Sequence, residues 1–270
     1  MDSRTKGLAW HRMKRITALA LAAFSLASCS SKLAPEQALR TAQTYTDIEW
    51  QPRPIHIRHG KDSAGITVHT PDTTLAEHGD KRGYWSPGKT AKGMPYKWGG
   101  FDTPESFLKG IAAGKKAGDI ANTYKIRADN AAISNESVGI DCSGFISRCW
   151  GLKTHVSTRD LPALCTPISW GELRMGDILL KEGHVLMFIT RQDQFIIGYE
   201  AGPKPTWRAR RCAILISYLK ANGYSPWRYK NMAEPKPATD TPLYDIDVTG
   251  KLASGWDRDL KDVEAIMGFD

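Results

Sequence analysis

Three residues whose types cooperate in acyl transfer occur in this chain in a workable order: Cys142, His184 and Glu200. Cys142 stands in Gly139-Ile140-Asp141-Cys142-Ser143-Gly144-Phe145, with Phe145, Ile146, Cys149 and Trp150 after it. Together with Cys142 these make the i, i+3, i+4, i+7, i+8 stripe of a core-facing helix, and Gly151 is placed to cap its end. A thiol at a helix N-terminus meets the positive end of the peptide dipoles, which favours thiolate, the nucleophilic form. A thiolate hydrolase also needs a base and a group that orients the base. His184 lies 42 residues beyond Cys142, opens the strand pattern HVLMFIT beside a turn at Lys181-Glu182-Gly183, and is the best base. His155 is the one rival, just past the Cys142 helix. His11 falls in the leader, and His56, His59, His69 and His78 fall in an irregular N-terminal region. Glu200, in FIIGYEA, lies 16 residues beyond His184. Residues at an even separation oppose each other across a hairpin only if the loop is odd in length or a strand bulges. A three-residue turn over Arg191–Asp193 is predicted to set His184 opposite Glu200. There the carboxylate would hold the imidazole tautomer and stabilise the imidazolium.

The elements that must position these groups read as α+β. Pro35 to Asp47 has Ala38, Leu39, Ala42 and Tyr45 on one helical face. Trp50 to Tyr84 is rich in Pro, Gly and β-branched residues, with one strand predicted over Gly65 to Thr70 and a turn at Pro71-Asp72. Thr103-Pro104 reads as an N-cap and first helical proline for a helix to about Gly114, and a second helix is predicted over Asp119 to Asn130. Gly176-Asp177 leads into a strand at Ile178 to Leu180, then the strands at His184 to Thr190 and Phe195 to Ala201. Ala213 to Ala221 reads as a helix ending at Asn222-Gly223, Glu234 to Asp240 as loop, and Asp257 to Met267 as a last short helix.

The N-terminus carries an address. Arg4, Lys6, Arg12, Lys14 and Arg15 precede the apolar run Ile16 to Ala27, too short for a good membrane span, and translation starting at Met13 would leave the signal complete. Leu26-Ala27-Ser28-Cys29 resembles a bacterial lipobox, in which Cys29 would be diacylated and become the first mature residue. Ser30 after that cysteine suggests the outer membrane, facing the periplasm. Loss of residues 1–28 would remove five Lys/Arg and one Asp, taking the net charge from +8 to +4. No basic cluster interleaved with aromatics is present, so nucleic acid is not expected as a partner. Cys149, Cys165 and Cys212 allow one disulfide without fixing the pair. No C-x-x-C spacing occurs, so a structural zinc site is not expected. Residues 83–90, GYWSPGKT, match the phosphate-loop pattern, but no buried strand precedes them and Gly93 and Pro95 follow, so the match is rejected.

Several blocks then resemble the NlpC/P60 cysteine peptidases: Tyr96-Lys97-Trp98-Gly99-Gly100, Asp141-Cys142-Ser143-Gly144-Phe145, Gly176-Asp177 and Gly183-His184-Val185, in family order over about residues 94–202. The resemblance implies a papain-like core, a nucleophile helix packed on an antiparallel sheet, as a catalytic domain at 94–230. Residues 29–93 would be a tether and N-terminal elaboration, 101–140 a helical insertion able to wall the cleft, and 231–270 a C-terminal tail. It implies hydrolysis of amide bonds in peptidoglycan stem peptides, at diaminopimelate, through an acyl-enzyme, by a monomer needing no metal or organic cofactor. Tyr96 would position substrate or oxyanion, and Asp141 and Ser143 would flank the substrate's amino end. Two features depart from the pattern: the long link 101–140, and Glu200 where the family commonly has His. A transglutaminase-like acyl transferase and a non-catalytic lipoprotein that binds wall peptides are the alternatives.

Overall fold

The structure is a computed structural model that describes residues 32–79 and 81–234. The signal segment 1–28, the lipid cysteine Cys29, the helix expected at Asp257 to Met267, and the tail beyond residue 234 lie outside the described residues. Within them the protein is α+β. Helix α1 (Pro35–Thr46) begins on its proline and buries Ala38, Leu39, Ala42 and Tyr45, the face the sequence pattern requires. Helix α2 (Pro104–Ala112) starts at Thr103, whose hydroxyl accepts the Ser106 backbone N–H. Helix α3 (Thr123–Ala128) is shorter than the Asp119 to Asn130 expected. Asn122 caps it, and Asp119 is used in backbone pairing and in a buried ion pair with Lys125. Helix α4 (Cys142–Cys149) carries the thiol on its first residue, and Gly151 adopts the left-handed conformation (φ +70°) just past its end.

A short hairpin, β1 (His59–Lys61) with β2 (Thr67–His69), lies in the N-terminal region. The main sheet has six antiparallel strands: β3 (Cys165–Pro167), β4 (Ile178–Lys181), β5 (His184–Gln192), β6 (Phe195–Ala201), β7 (Ala209–Leu215) and β8 (Ser225–Tyr229). Their spatial order is β7-β6-β5-β4-β8-β3. The helix expected from Ala213 is a correction. Ala213 and Ile214 pair with Ile197 and Ile196 as part of β7, so helix α5 begins only at Ile216 and runs to Ala221. The alternation Ala209, Arg210, Arg211, Cys212 carries too little apolar signal to mark a strand beforehand.

One face of the sheet packs on α4 and α1. Val185, Met187, Ile197 and Tyr199 meet Phe145, Ile146, Leu39 and Ala42 in the main core, and Tyr45 meets Phe145 edge-on at 5.7 Å. Each such apolar side chain, once buried, contributes about 1.5–3 kcal/mol. Alternate residues Leu186, Phe188 and Ile196 bury on the other face, against Leu219 and Tyr224. At the far end of α4, Trp150 stacks on Tyr229 at 4.3 Å and ties the helix to β8. Within residues 29–93, helix α1 shares this core with α4.

The link 101–140 leaves and returns to the same place. Lys97 donates its N–H to the Ile140 carbonyl at 3.1 Å, Ile140 donates to Pro95 at 3.1 Å, and Asp141 donates to Gly100 at 3.2 Å. The segment at Tyr96 therefore abuts the start of α4 despite the long excursion. Two glycines permit that approach. A Cβ on Gly100 would lie 2.6 Å from the Gly139 carbonyl oxygen, and one on Gly144 would lie 2.1 Å from the Gly100 carbonyl oxygen. At Gly83–Thr90 no helix follows: Ala91–Lys92 is a two-residue strand paired with Glu49–Trp50, which confirms the rejection of a phosphate loop.

Candidate active site

The strands bring His184 and Glu200 together by a route other than the one expected. The β5–β6 loop is two residues, Asp193-Gln194, with Gln192 paired to Phe195, so the three-residue turn is a correction. That register holds through Thr190↔Ile197, then shifts at a bulge to Phe188↔Gly198 and Met187↔Tyr199. A one-residue shift moves a strand's side chains to the other face. Without the bulge His184 and Glu200 would project from opposite faces. With it they share one, and His184 Nε2 lies 2.9 Å from Glu200 Oε2.

Glu200 is gripped from both sides. Arg210 stands directly opposite it on β7, and its Nε donates to Glu200 Oε1 at 3.1 Å. The glutamate, the histidine and the arginine are all buried. Burial by itself would raise the Glu200 carboxyl, but the hydrogen bond from His184 and the Arg210 charge outweigh it and hold the group down at about 2. It is therefore a carboxylate at neutral pH, acceptor-only, and His184 Nε2 must be the donor. That assigns the lone pair of neutral His184 to Nδ1. Nδ1 is buried and has no hydrogen-bond partner among the described residues.

Cys142 faces the start of the same strand. Its Sγ donates to the Gly183 carbonyl at 3.8 Å, beside His184 in sequence. Burial and then the Asp141 charge push the Cys142 thiol well above its ordinary range. Hydrogen bonds from the backbone N–H groups of Val185, Ser143 and Cys142 offset part of this. The helix N-terminus therefore does not by itself supply a resting thiolate. Burial is the main reason, and Asp141 adds to it: as N-cap it accepts the Gly144 N–H at 2.6 Å and the Ser143 hydroxyl at 3.0 Å, placing a negative charge where the dipole would otherwise favour one on sulfur. Nucleophilic use of this thiol would require a proton acceptor.

The rival base is engaged elsewhere. His155 Nε2 lies 3.0 Å from both Asp141 carboxylate oxygens and 3.3 Å from the Ser143 hydroxyl. Burial would lower its pKa, but the hydrogen bond to Asp141 and that residue's charge raise it overall. His56, fully buried, is bound to the Ile111 carbonyl at 3.0 Å. Tyr96 is buried, packs edge-on to Trp207 at 6.0 Å, and is close enough to Cys142 and Asp141 to feel their charge. Burial first, and then those charges, push its phenol up, so it stays a neutral donor. Among the described residues the cysteines other than Cys142 are also buried, and no disulfide joins them.

Two residues beside these groups, Arg210 and Tyr224, are not singled out by the motifs, and His155 takes a place other than that of the base. Arg210 orients Glu200, His155 holds Asp141, and Tyr224 stands edge-on to His184 at 6.3 Å. A cavity of about 130 Å³ borders this side of the pair, lined among others by Lys181, His184, Glu200, Tyr218 and Tyr224. Cys142 does not line it, and neither does any residue of 101–140, so the insertion does not wall this cavity. Away from the pair, His59, His69 and His78 cluster with the spacing of metal ligands. No helix among the described residues is long and apolar enough to cross a membrane. No protein-family model matches the chain, and no curated protein matches it.

Proposed function

We propose that the protein is a cysteine hydrolase with an NlpC/P60-like, papain-type core, tethered by lipid on Cys29 to the periplasmic face of the outer membrane and cutting peptidoglycan stem peptides. The observation that carries this reading is the polarity of His184. Its Nε2 is fixed on the Glu200 carboxylate at 2.9 Å, while its buried Nδ1 has no partner among the described residues, and the Cys142 thiol meets the carbonyl of Gly183, the residue before it, at 3.8 Å. A merely structural histidine would pair both nitrogens or expose one.

The chemistry follows from that polarity. Cys142 Sγ attacks the amide carbonyl carbon as its proton passes to His184 Nδ1. The new imidazolium is stabilised by Glu200, which Arg210 keeps ionised. The carbonyl π electrons move to oxygen, where the Cys142 backbone N–H at the helix start and the Tyr96 hydroxyl are the candidate donors. His184 returns the proton to the leaving amine nitrogen as the C–N bond breaks, which leaves a thioester. Water, deprotonated by His184, then releases the acid and restores the thiol. Asp141 and Ser143 border the nucleophile and would meet the substrate's amino end, and Lys181 and Lys204 beside the cavity suit an acidic peptide.

The test is mass spectrometry of products from purified muropeptides. The wild-type chain should release fragments cut at a diaminopimelate amide bond, and Cys142→Ala should release none while its circular dichroism stays native. Full cleavage by Cys142→Ala would refute the nucleophile. An amine acceptor that diverts the acyl group as efficiently as water would favour the acyl-transferase reading.

A further inference from the structure

Three imidazoles converge in the N-terminal region, outside the hydrolase site. The β1–β2 register pairs His59 directly with His69, so their side chains leave the hairpin on one face. His78 ends the 3-10 turn Leu75–His78, which Gly79 stops at φ +82°. Its ring stacks on His59 with centroids 4.2 Å apart and lies 5.1 Å from the His69 ring. One nitrogen from each of the three falls within 4.8 Å of the others.

The distances are those of a coordination shell. His59 Nδ1 and His69 Nδ1 are 3.3 Å apart. Two nitrogens at zinc-ligand distance from a tetrahedral centre must lie about 3.3–3.4 Å apart. The tautomer of His59 is also suitable. Asp72 is fully buried, accepts the Thr70 hydroxyl at 2.6 Å and the Thr74 backbone N–H at 2.9 Å, and lies 2.9 Å from His59 Nε2. Such an acceptor takes the Nε2 proton and turns the His59 Nδ1 lone pair toward His69. A carboxylate behind a ligating imidazole is the usual outer support of a histidine–metal bond.

We infer that His59, His69 and His78 form a binding site for one divalent transition-metal ion of the zinc type, with Asp72 orienting His59 and the fourth position left to water. The expectation of no zinc rested on cysteine spacing, and this ligand set uses imidazole instead. An ion here would bind the 3-10 turn to the hairpin in a segment with little regular structure. The same turn carries Leu75, which packs with Tyr96, Ile120 and Trp207. The metal would thus pin the support beneath Tyr96, and the site stands whether or not the hydrolase reading does.

The experiment uses the full chain, stripped with chelator and titrated with Zn²⁺ by calorimetry and with Co²⁺ by absorption. One saturable equivalent is expected, with the visible bands of four-coordinate Co²⁺ and no thiolate-to-metal charge-transfer band. His78→Ala, at an exposed residue, and His69→Ala should each abolish that equivalent while circular dichroism stays native. Asp72→Asn should weaken Zn²⁺ binding by roughly 10–100-fold. Zn²⁺ should raise the melting temperature of the wild type and not that of His78→Ala. Absence of saturable binding, retention of the equivalent in both histidine variants, or a thiolate band placing the ion on a cysteine would each overturn the assignment.

Discussion

Glu200→Gln changes one atom and tests the site at two levels. The carboxylate accepts from His184 Nε2 at one oxygen and from Arg210 Nε at the other. Glutamine offers one acceptor and one donor, so it can satisfy only one of them. If its oxygen serves Arg210, its NH₂ faces Nε2 and drives the imidazole proton onto Nδ1, the nitrogen that receives the thiol proton in the proposed mechanism. The expected loss in kcat is of order 10³–10⁴, as when an orienting carboxylate is amidated in a serine triad. Stability supplies a second magnitude. The Glu200 carboxyl is held down from 4.5 to about 2 because the His184 hydrogen bond and the Arg210 charge overcome burial. At 1.36 kcal/mol per unit this is about 3 kcal/mol of stabilisation. The folded value lies below the unfolded one, so the contribution is complete above about pH 4.5 and is lost as pH falls through about 2. By pH 3 roughly 1–1.5 kcal/mol of it should remain. Urea denaturation of wild type and variant at pH 7 and pH 3, beside muropeptide turnover at pH 7, reads both effects. A stability gap that is the same at both pH values, or a variant with full turnover, would refute the reasoning.

Two further perturbations probe the support around the nucleophile. His155→Ala should cost most stability in acid: the folded His155 pKa is raised by Asp141 against burial, so its contribution is full below about 6.5 and fades as pH rises through the folded value. Denaturation at pH 5.5 and 8.5 checks the sign, and a loss of turnover as complete as in Cys142→Ala would make His155 the base instead. Gly144→Ala puts a Cβ 2.1 Å from the Gly100 carbonyl oxygen, backbone that cannot swing aside. A loss of about 1–3 kcal/mol is expected from such overpacking, and an unchanged melting temperature would contradict the close approach of the Tyr96 segment to α4.

What could be read in advance divides along physical lines. The α1 and α4 faces were legible because burial at 3.6-residue spacing leaves a repeated apolar signal, and Pro35 and Thr103 mark helix starts by chemistry that neighbours do not override. β7 was not legible. Arg210 and Arg211 interrupt its apolar pattern, and the run Ala213 to Ala221 has helical composition although its first residues are claimed by pairing with β6. Tertiary pairing outweighs local propensity there. β3 and β8 were missed for a related reason: each is short and irregular in composition, and β8 joins the sheet between β4 and β3 only through non-local contacts.

The site shows the same division at higher resolution. Parity demanded that something odd lie between His184 and Glu200, and either a loop residue or a bulge would satisfy it. Nothing in the residues decides between them, because the bulge sits where Ile189, Ile197 and Gly198 are all compatible with regular strand. Gly198 shows where the choice is made, since a Cβ there would lie 2.5 Å from the Met187 carbonyl oxygen. The same residue that looks like a strand defect lets β6 close on β5 beyond the shift, and so keeps Glu200 on the face of His184. The peptide dipole at the helix start favours a thiolate at Cys142, but the thiol is buried beside the capping carboxylate. Burial of the thiol, and then the Asp141 charge, reverse the sign. The nucleophile of this chain is thus expected to be made by its base at the moment of attack. Electrophile labelling should show this: Cys142 reactivity should fall in His184→Ala, whereas a pre-formed thiolate would label as fast without the imidazole as with it.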